Sequence, residues 1–162
     1  MTRYGSPPNA MLKDISNAFV LANQTKGHNE GASAGKSLSK SRRVLVVDDN
    51  DDAAQSTAEL LRLLGHEVFV ANQGSTALAE RARCHPDIVL LDISLPDMDG
   101  YEVARQMRTA PDQQSLVLVA MTGWGGEQDK QLADAAGFDL HWVKPVSLDK
   151  LQQISLMPPR SL

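Results

Sequence analysis

The sequence predicts an α/β domain, a parallel sheet held between two layers of helices, behind a tail of different composition. Three observations predict it. From Arg42 onward, short apolar runs alternate with helical patterns five times over. The runs are apolar throughout, not at every second residue, as in strands covered on both faces. Strict alternation of strand and helix requires right-handed crossovers, which place helices on the sheet and leave its strands parallel.

The elements follow in order. Val44-Leu45-Val46-Val47 is the first strand, and Asp48-Asp49-Asn50-Asp51-Asp52 after it can cap a helix. That helix runs to about Leu64, with Thr57, Leu60, Leu61 and Leu64 on its apolar side and Gly65 as its stop. Glu67–Ala71 is the second strand; Gly74–His85 is the second helix, ended by Pro86. Ile88–Leu91 is the third strand and Tyr101 to about Arg108 the third helix. Leu116–Met121 is the fourth strand, followed by a helix over Glu127–Ala136. Leu140–Val143 is the fifth strand, and Leu148 to about Ser155 a short last helix before Pro158 and Pro159.

Length and composition bound the rest. A chain of 162 residues has room for one ordinary domain and some extra sequence. Charge is uneven. Residues 1–41 hold five Lys/Arg against Asp14 and Glu30, whereas the remainder holds eleven against eighteen Asp/Glu. The folded part is therefore acidic, which suits a cation site and gives no reason to expect nucleic acid as a partner. Residues 23–41 are rich in Gly, Ser, Asn and Lys and read as a flexible linker. Ahead of it, Leu12, Ile15 and Phe19 fall at helical spacing. The boundaries expected are a tail and linker at 1–41, the domain at 42–157 and a short tail at 158–162. No apolar run approaches the roughly 18–20 residues of a transmembrane helix, and the first residues lack the apolar core of a signal peptide. With Cys84 as the single cysteine, no internal disulfide can form. The chain is expected in the cytoplasm and away from membranes.

Ligands of open parallel sheets bind outside the carboxyl ends of the strands. Those ends deliver Asp48 and Asp49 from the first strand, Asp92 from the third, Thr122 from the fourth and Lys144 from the fifth. Three carboxylates meeting at one sheet edge repel one another unless a cation joins them. Hard oxygen donors with few positions filled by protein suit Mg²⁺. A carboxylate beside that metal can attack a phosphoryl group, whose oxygens the metal, an ammonium and a hydroxyl would hold. Asp51 and Asp52 read as first-turn acids of the helix, and Asp97 and Asp99 as turn formers. His28, His66 and His85 have no metal-ligand spacing, and Cys84 reads as a partly buried helix residue.

Four segments in register carry a resemblance: VLVVDDN (44–50), VLLDISLPDMDG (89–100), VAMTGWG (119–125) and HWVKPVS (141–147). The chain from about Ser41 to Leu156 resembles a response-regulator receiver domain of two-component signalling. The resemblance implies a flavodoxin-like, doubly wound, five-stranded sheet. It implies Asp92 as phosphoacceptor, with Asp49, Asp92 and the main-chain carbonyl of Ser94 as direct Mg²⁺ ligands and Asp48 acting largely through water. Lys144 would pair with the phosphoryl group, Thr122 would swing toward it, and Lys144-Pro145 would be cis. The implied partners are a histidine kinase or histidine phosphotransfer protein and a downstream protein target. A monomer or weak dimer is expected, and not a stand-alone enzyme.

Two positions depart from the family pattern. His141 stands where many receivers carry Tyr or Phe as the switch residue, a feature familiar in receivers of hybrid sensor kinases, so such a receiver is the alternative reading. Trp124 follows Thr122 by two residues and would stand at the rim of the site, where its ring could hinder hydrolytic water. A rival resemblance, to haloacid-dehalogenase-like phosphatases, rests on Asp49-Asn50-Asp51 and leaves Asp92 unexplained. With the chain ending at Leu162, no separate output domain is expected.

Overall fold

A computed structural model describes residues 40–111 and 115–158. The helix expected around Leu12–Phe19, His28, most of the linker and all but Pro158 of the C-terminal tail lie outside the described residues.

Strands and helices alternate as β1 (Arg43–Val47), α1 (Asp51–Leu63), β2 (Glu67–Ala71), α2 (Gly74–Cys84), β3 (Ile88–Asp92), α3 (Gly100–Thr109), β4 (Val117–Thr122), α4 (Glu127–Ala136), β5 (Leu140–Val143) and α5 (Leu148–Gln153). A 3₁₀ turn over Ile154–Leu156 prolongs α5. All five strands are parallel in one sheet of order β2-β1-β3-β4-β5. Each element foreseen from Arg42 onward is present, with bounds that differ by at most two residues.

Alternate residues of each strand feed two cores. Leu45, Val47, Val89, Leu91, Leu118 and Ala120 face one way, against Ala77 of α2, Val103 and Met107 of α3 and Ala133 of α4. Val44, Val46, Ile88, Leu90, Val119 and Met121 face the other, against Ala54 and Leu61 of α1 and Leu151 of α5. Helices on both faces explain why the strand sequences are apolar without alternation.

The helix ends follow local chemistry. The Asn50 side chain accepts the Ala53 N–H at 3.1 Å and caps α1, with Asp51 and Asp52 in the first turn as foreseen. Asp99 caps α3 by accepting the Tyr101 N–H at 2.9 Å. His85 closes α2 in the left-handed conformation, φ 44°, ahead of Pro86. One expectation needs correction. The buried stripe of α1 is Ala54, Ala58 and Leu61, whereas Leu60 is 39% exposed. Two alanines let α1 lie close on the sheet, which turns Thr57 and Leu60 sideways into a groove of about 460 Å³ shared with Pro145 and Val146.

His66, which lacks metal-ligand spacing, has a structural role. It is buried; its Nδ1 accepts the Arg42 main-chain N–H at 3.2 Å, and its Nε2 lies 3.1 Å from the Ser155 hydroxyl. The Arg42 guanidinium donates to the Met157 carbonyl, so the start of β1 is tied to the last helix. Among the described residues no helix is long and apolar enough to cross a membrane.

Candidate functional site

In this strand order the chain passes from β1 to β2 on one side and then to β3 on the other. The crevice between the carboxyl ends of β1 and β3 is the switch point at which such sheets bind ligands. β1 releases Asp48 and Asp49 there, and β3 ends on Asp92.

Carboxylate oxygens of Asp48, Asp49 and Asp92 all lie within 4.8 Å of one another. Asp48 and Asp92 are buried, at 4% and 5% exposure, while Asp49 faces solvent. Each buried acid is held by the backbone as well. Asp48 Oδ1 accepts the Asn50 N–H at 3.0 Å, and Asp92 Oδ1 accepts the Ser94 N–H at 2.9 Å. Their other oxygens point at one cation: Lys144 Nζ donates to Asp48 Oδ2 at 2.7 Å and to Asp92 Oδ2 at 2.8 Å. Burial alone would lower the Lys144 pKa, but the hydrogen bonds and charges of the two acids outweigh it and hold the ammonium above the ordinary lysine range.

The Lys144 N–H donates to the Thr122 carbonyl at 2.8 Å, which fixes where the long side chain starts, and the Lys144-Pro145 bond is cis. Thr122 ends β4, one strand from Asp92, with its hydroxyl accepting the Trp124 N–H at 3.1 Å. His141 pairs in register with Ala120, two residues before Thr122, so His141 and Thr122 stand on the same face of the sheet. Its Nε2 is buried and has no hydrogen-bond partner among the described residues. Burial, with the Lys130 charge added to it, lowers the His141 pKa.

The two tryptophans differ. Trp124 is 81% exposed on the loop after β4, whereas Trp142 is buried in the core between the sheet and α5. Only Trp124 is therefore at the rim; Trp142 is separated from Thr122 and His141 by the sheet, since alternate residues face opposite sides.

One contributor escaped the sequence reading. Asn72, just past β2, donates its amide to the Asp48 carbonyl at 3.2 Å and to Asp51 Oδ1 at 2.7 Å. Reading the carboxyl end of β2 along with the other four would have found it. Asp97 holds more than its own turn, because its two oxygens accept the N–H groups of Gly74 and Ser75 at 2.7 and 2.9 Å.

Chemically, the crevice offers clustered hard oxygen donors, one open to solvent, and an ammonium already in place. That donor set fits a divalent cation that retains water, such as Mg²⁺. It also fits a phosphoryl group, whose oxygens the metal and Lys144 would share.

Comparison with known proteins agrees with this geometry. The family model for the response regulator receiver domain matches residues 44–155. The regulatory protein AtoC of Escherichia coli is 36% identical over 112 residues, covering 69% of this chain and 24% of that protein. The sensor histidine kinase AtsR of Burkholderia thailandensis is 36% identical over 111 residues, covering 68% of this chain and 18% of the kinase. The chain thus spans a quarter or less of these two relatives. Among solved structures, the receiver domain of a Pseudomonas aeruginosa sensor histidine kinase, with a magnesium ion coordinated in its active site cleft, superposes with a TM-score of 0.65 at 28% identity. That match covers 72% of this chain and 95% of the other.

Proposed function

Because the chain belongs to the response regulator receiver domain family, we propose that it is a phosphorylation switch of a two-component phosphorelay with Asp92 as the acceptor. The observation that carries the assignment is the meeting of Asp48, Asp49 and Asp92 around Lys144 at the β1/β3 switch point. Asp49, Asp92 and the Ser94 main-chain carbonyl would hold Mg²⁺ directly, and Asp48 largely through water. When bound, the ion supplies positive charge to the phosphoryl oxygens.

The chain's own groups do the rest. An Asp92 carboxylate oxygen attacks phosphorus, the bond from phosphorus to the donor imidazole nitrogen breaks, and the imidazole leaves neutral after taking up a proton. Lys144 moves from bridging two carboxylates to pairing with the new phosphoryl group, at little cost because it already stands beside Asp92. The added charge draws the Thr122 hydroxyl, and His141, on the same face, shifts with it. The domain then populates a second surface built from β4, β5 and the helices after them.

The donor is a histidine kinase or histidine phosphotransfer protein, and the output is a downstream protein target. We place the module in the cytoplasm as a monomer or weak dimer, with neither nucleic acid nor membrane as partner. It is a signalling module that assists its own phosphorylation, not a stand-alone enzyme. Its folded unit is residues 42–157. A second reading, the receiver portion of a hybrid sensor kinase, is favoured by the likeness to the AtsR kinase.

Beryllofluoride, which mimics an aspartyl phosphoryl group, tests the assignment. With Mg²⁺ present, amide resonances at Asp92, Thr122, His141 and Lys144 should shift, and the shifts should vanish in Asp92→Ala. Shifts that survive that substitution would contradict the assignment.

A further inference from the structure

Two loops carry the carboxylates of the site, and they come from different strands. Lys144 bridges Asp48 and Asp92, but three carboxylates against one ammonium leave net negative charge that favours separation of the loops. Neither loop makes its closest polar contacts only with itself. Both are gripped by a third segment that contributes no carboxylate, the turn from Asn72 to Ser75 between β2 and α2.

On one side of the turn, one Asn72 amide bond goes to the β1–α1 loop, 3.2 Å to the Asp48 carbonyl, and the other to the first residue of α1, 2.7 Å to Asp51 Oδ1. The Asp48 N–H in turn donates to the Ala71 carbonyl at 3.1 Å, so the peptides flanking Asp48 are both fixed from β2. On the other side, α2 begins without help from its own cap residue, because Gln73 makes no side-chain cap bond. The first N–H groups of a helix need acceptors. Here Asp97 of the β3–α3 loop supplies them, with Oδ1 2.7 Å from the Gly74 nitrogen and Oδ2 2.9 Å from that of Ser75. The two N–H groups hold the Asp97 carboxyl at about 2, well below the ordinary aspartate value, so it stays ionised wherever the site works. Gly74 permits the contact: a Cβ there would stand 2.7 Å from Val103 Cγ2 and 3.0 Å from Met98 Cβ.

We infer that the β2–α2 turn sets the spacing between the two ligand-bearing loops, with Asn72 and Asp97 as the positioning residues through which it acts on Mg²⁺ affinity. The inference rests on the Mg²⁺ site proposed above. The ties lie in series: β1–α1 loop, Asn72, turn, Asp97, β3–α3 loop. Cutting either one removes this link and leaves the loops joined by the β1–β3 pairing and the Lys144 bridge. Residues that orient metal ligands typically change affinity by about 10–100-fold when replaced. Groups acting through one link are non-additive.

The test is calorimetric titration of the full chain with MgCl₂ alone. It compares wild type, Asn72→Ala, Asp97→Ala, the milder Asp97→Asn and the double variant Asn72→Ala/Asp97→Ala. Asp92→Asn serves as the ligand control, and Val68→Ala, at the far end of β2, as a packing control. Amide hydrogen exchange at Gly74 and Ser75, measured without metal, reports whether the Asp97 tie has been cut. Each alanine variant should bind Mg²⁺ roughly tenfold more weakly, Asp97→Asn less so, and the double variant no more weakly than the worse single one. Val68→Ala should lose stability with its Mg²⁺ affinity unchanged. If the variants melt lower but bind Mg²⁺ within twofold of wild type, or if the two effects multiply, the inference is overturned and the turn is merely structural. Should wild type itself fail to bind Mg²⁺, or Asp92→Asn bind it equally well, the fault lies with the metal site.

Discussion

Lys144 carries the clearest consequences at the scale of single residues. Its ammonium is the cation between two buried carboxylates, so its loss leaves like charges facing each other. Lys144→Met should lower stability by about 2 kcal/mol without metal, the cost of leaving a charged group unpartnered. Added Mg²⁺ should recover more of that loss than it adds to wild type, because the ion takes over the ammonium's place. Paired melting curves with and without MgCl₂ check this. His66 gives a pH prediction. Burial, then the nearby Arg42 charge, lowers its folded pKa below the unfolded value of 6.5. The unfolded chain therefore binds the proton more readily, and stability present above about pH 6.5 is lost as pH falls. His141 shifts in the same direction. Urea midpoints between pH 7.5 and 5 should fall, and His66→Gln should flatten the slope. The acids, Thr122 and Lys144 were legible in the sequence because each stands at a strand end, where residue type alone suggests chemistry. Asn72 and His66 were not, since an amide or imidazole gains its role only from a partner twenty or more positions away.

Among the elements, α3 is held at both ends by contacts with other parts of the fold. At its start Gly100 packs on the loop after β3; a Cβ there would stand 2.5 Å from the Asp92 carbonyl and 2.6 Å from Ile93 Cα. At its end Arg108 donates to the Gly137 and Leu116 carbonyls at 2.9 and 2.7 Å and pairs with buried Asp139 at 2.6 Å. Asp139 also accepts the Leu118 N–H at 2.8 Å, so this pair joins α3, β4 and the turn into β5. Arg108→Ala leaves that buried carboxylate without its cation and should cost about 3 kcal/mol, read as a lower urea midpoint. The segment patterns were legible at this scale because period and punctuation are local properties. The inward face of α1 was misjudged because leucine outranks alanine in hydrophobicity, whereas close packing on a sheet favours the smaller residue. The start of α2 gave no local cap signal at all, for its acceptor is Asp97 on another loop.

At the scale of the whole molecule, fold and function are one arrangement. Apolar runs without alternation demand helices on both faces, and that layering leaves the carboxyl ends of the strands as the place where polar groups can gather. Hence the fold was readable from pattern and the site from fold. Binding that favours only the folded state should make the whole domain cooperative with its metal. At a hundred times its dissociation constant Mg²⁺ adds about 2.7 kcal/mol of stability, which a thermal melt of wild type should show and one of Asp92→Asn should not. The most direct measurement is intact mass after incubation with acetyl phosphate, with and without Mg²⁺, for wild type and Asp92→Ala. A gain of one phosphoryl group is expected in wild type only, and only with Mg²⁺. No gain in wild type, or a gain that persists in Asp92→Ala, would contradict it.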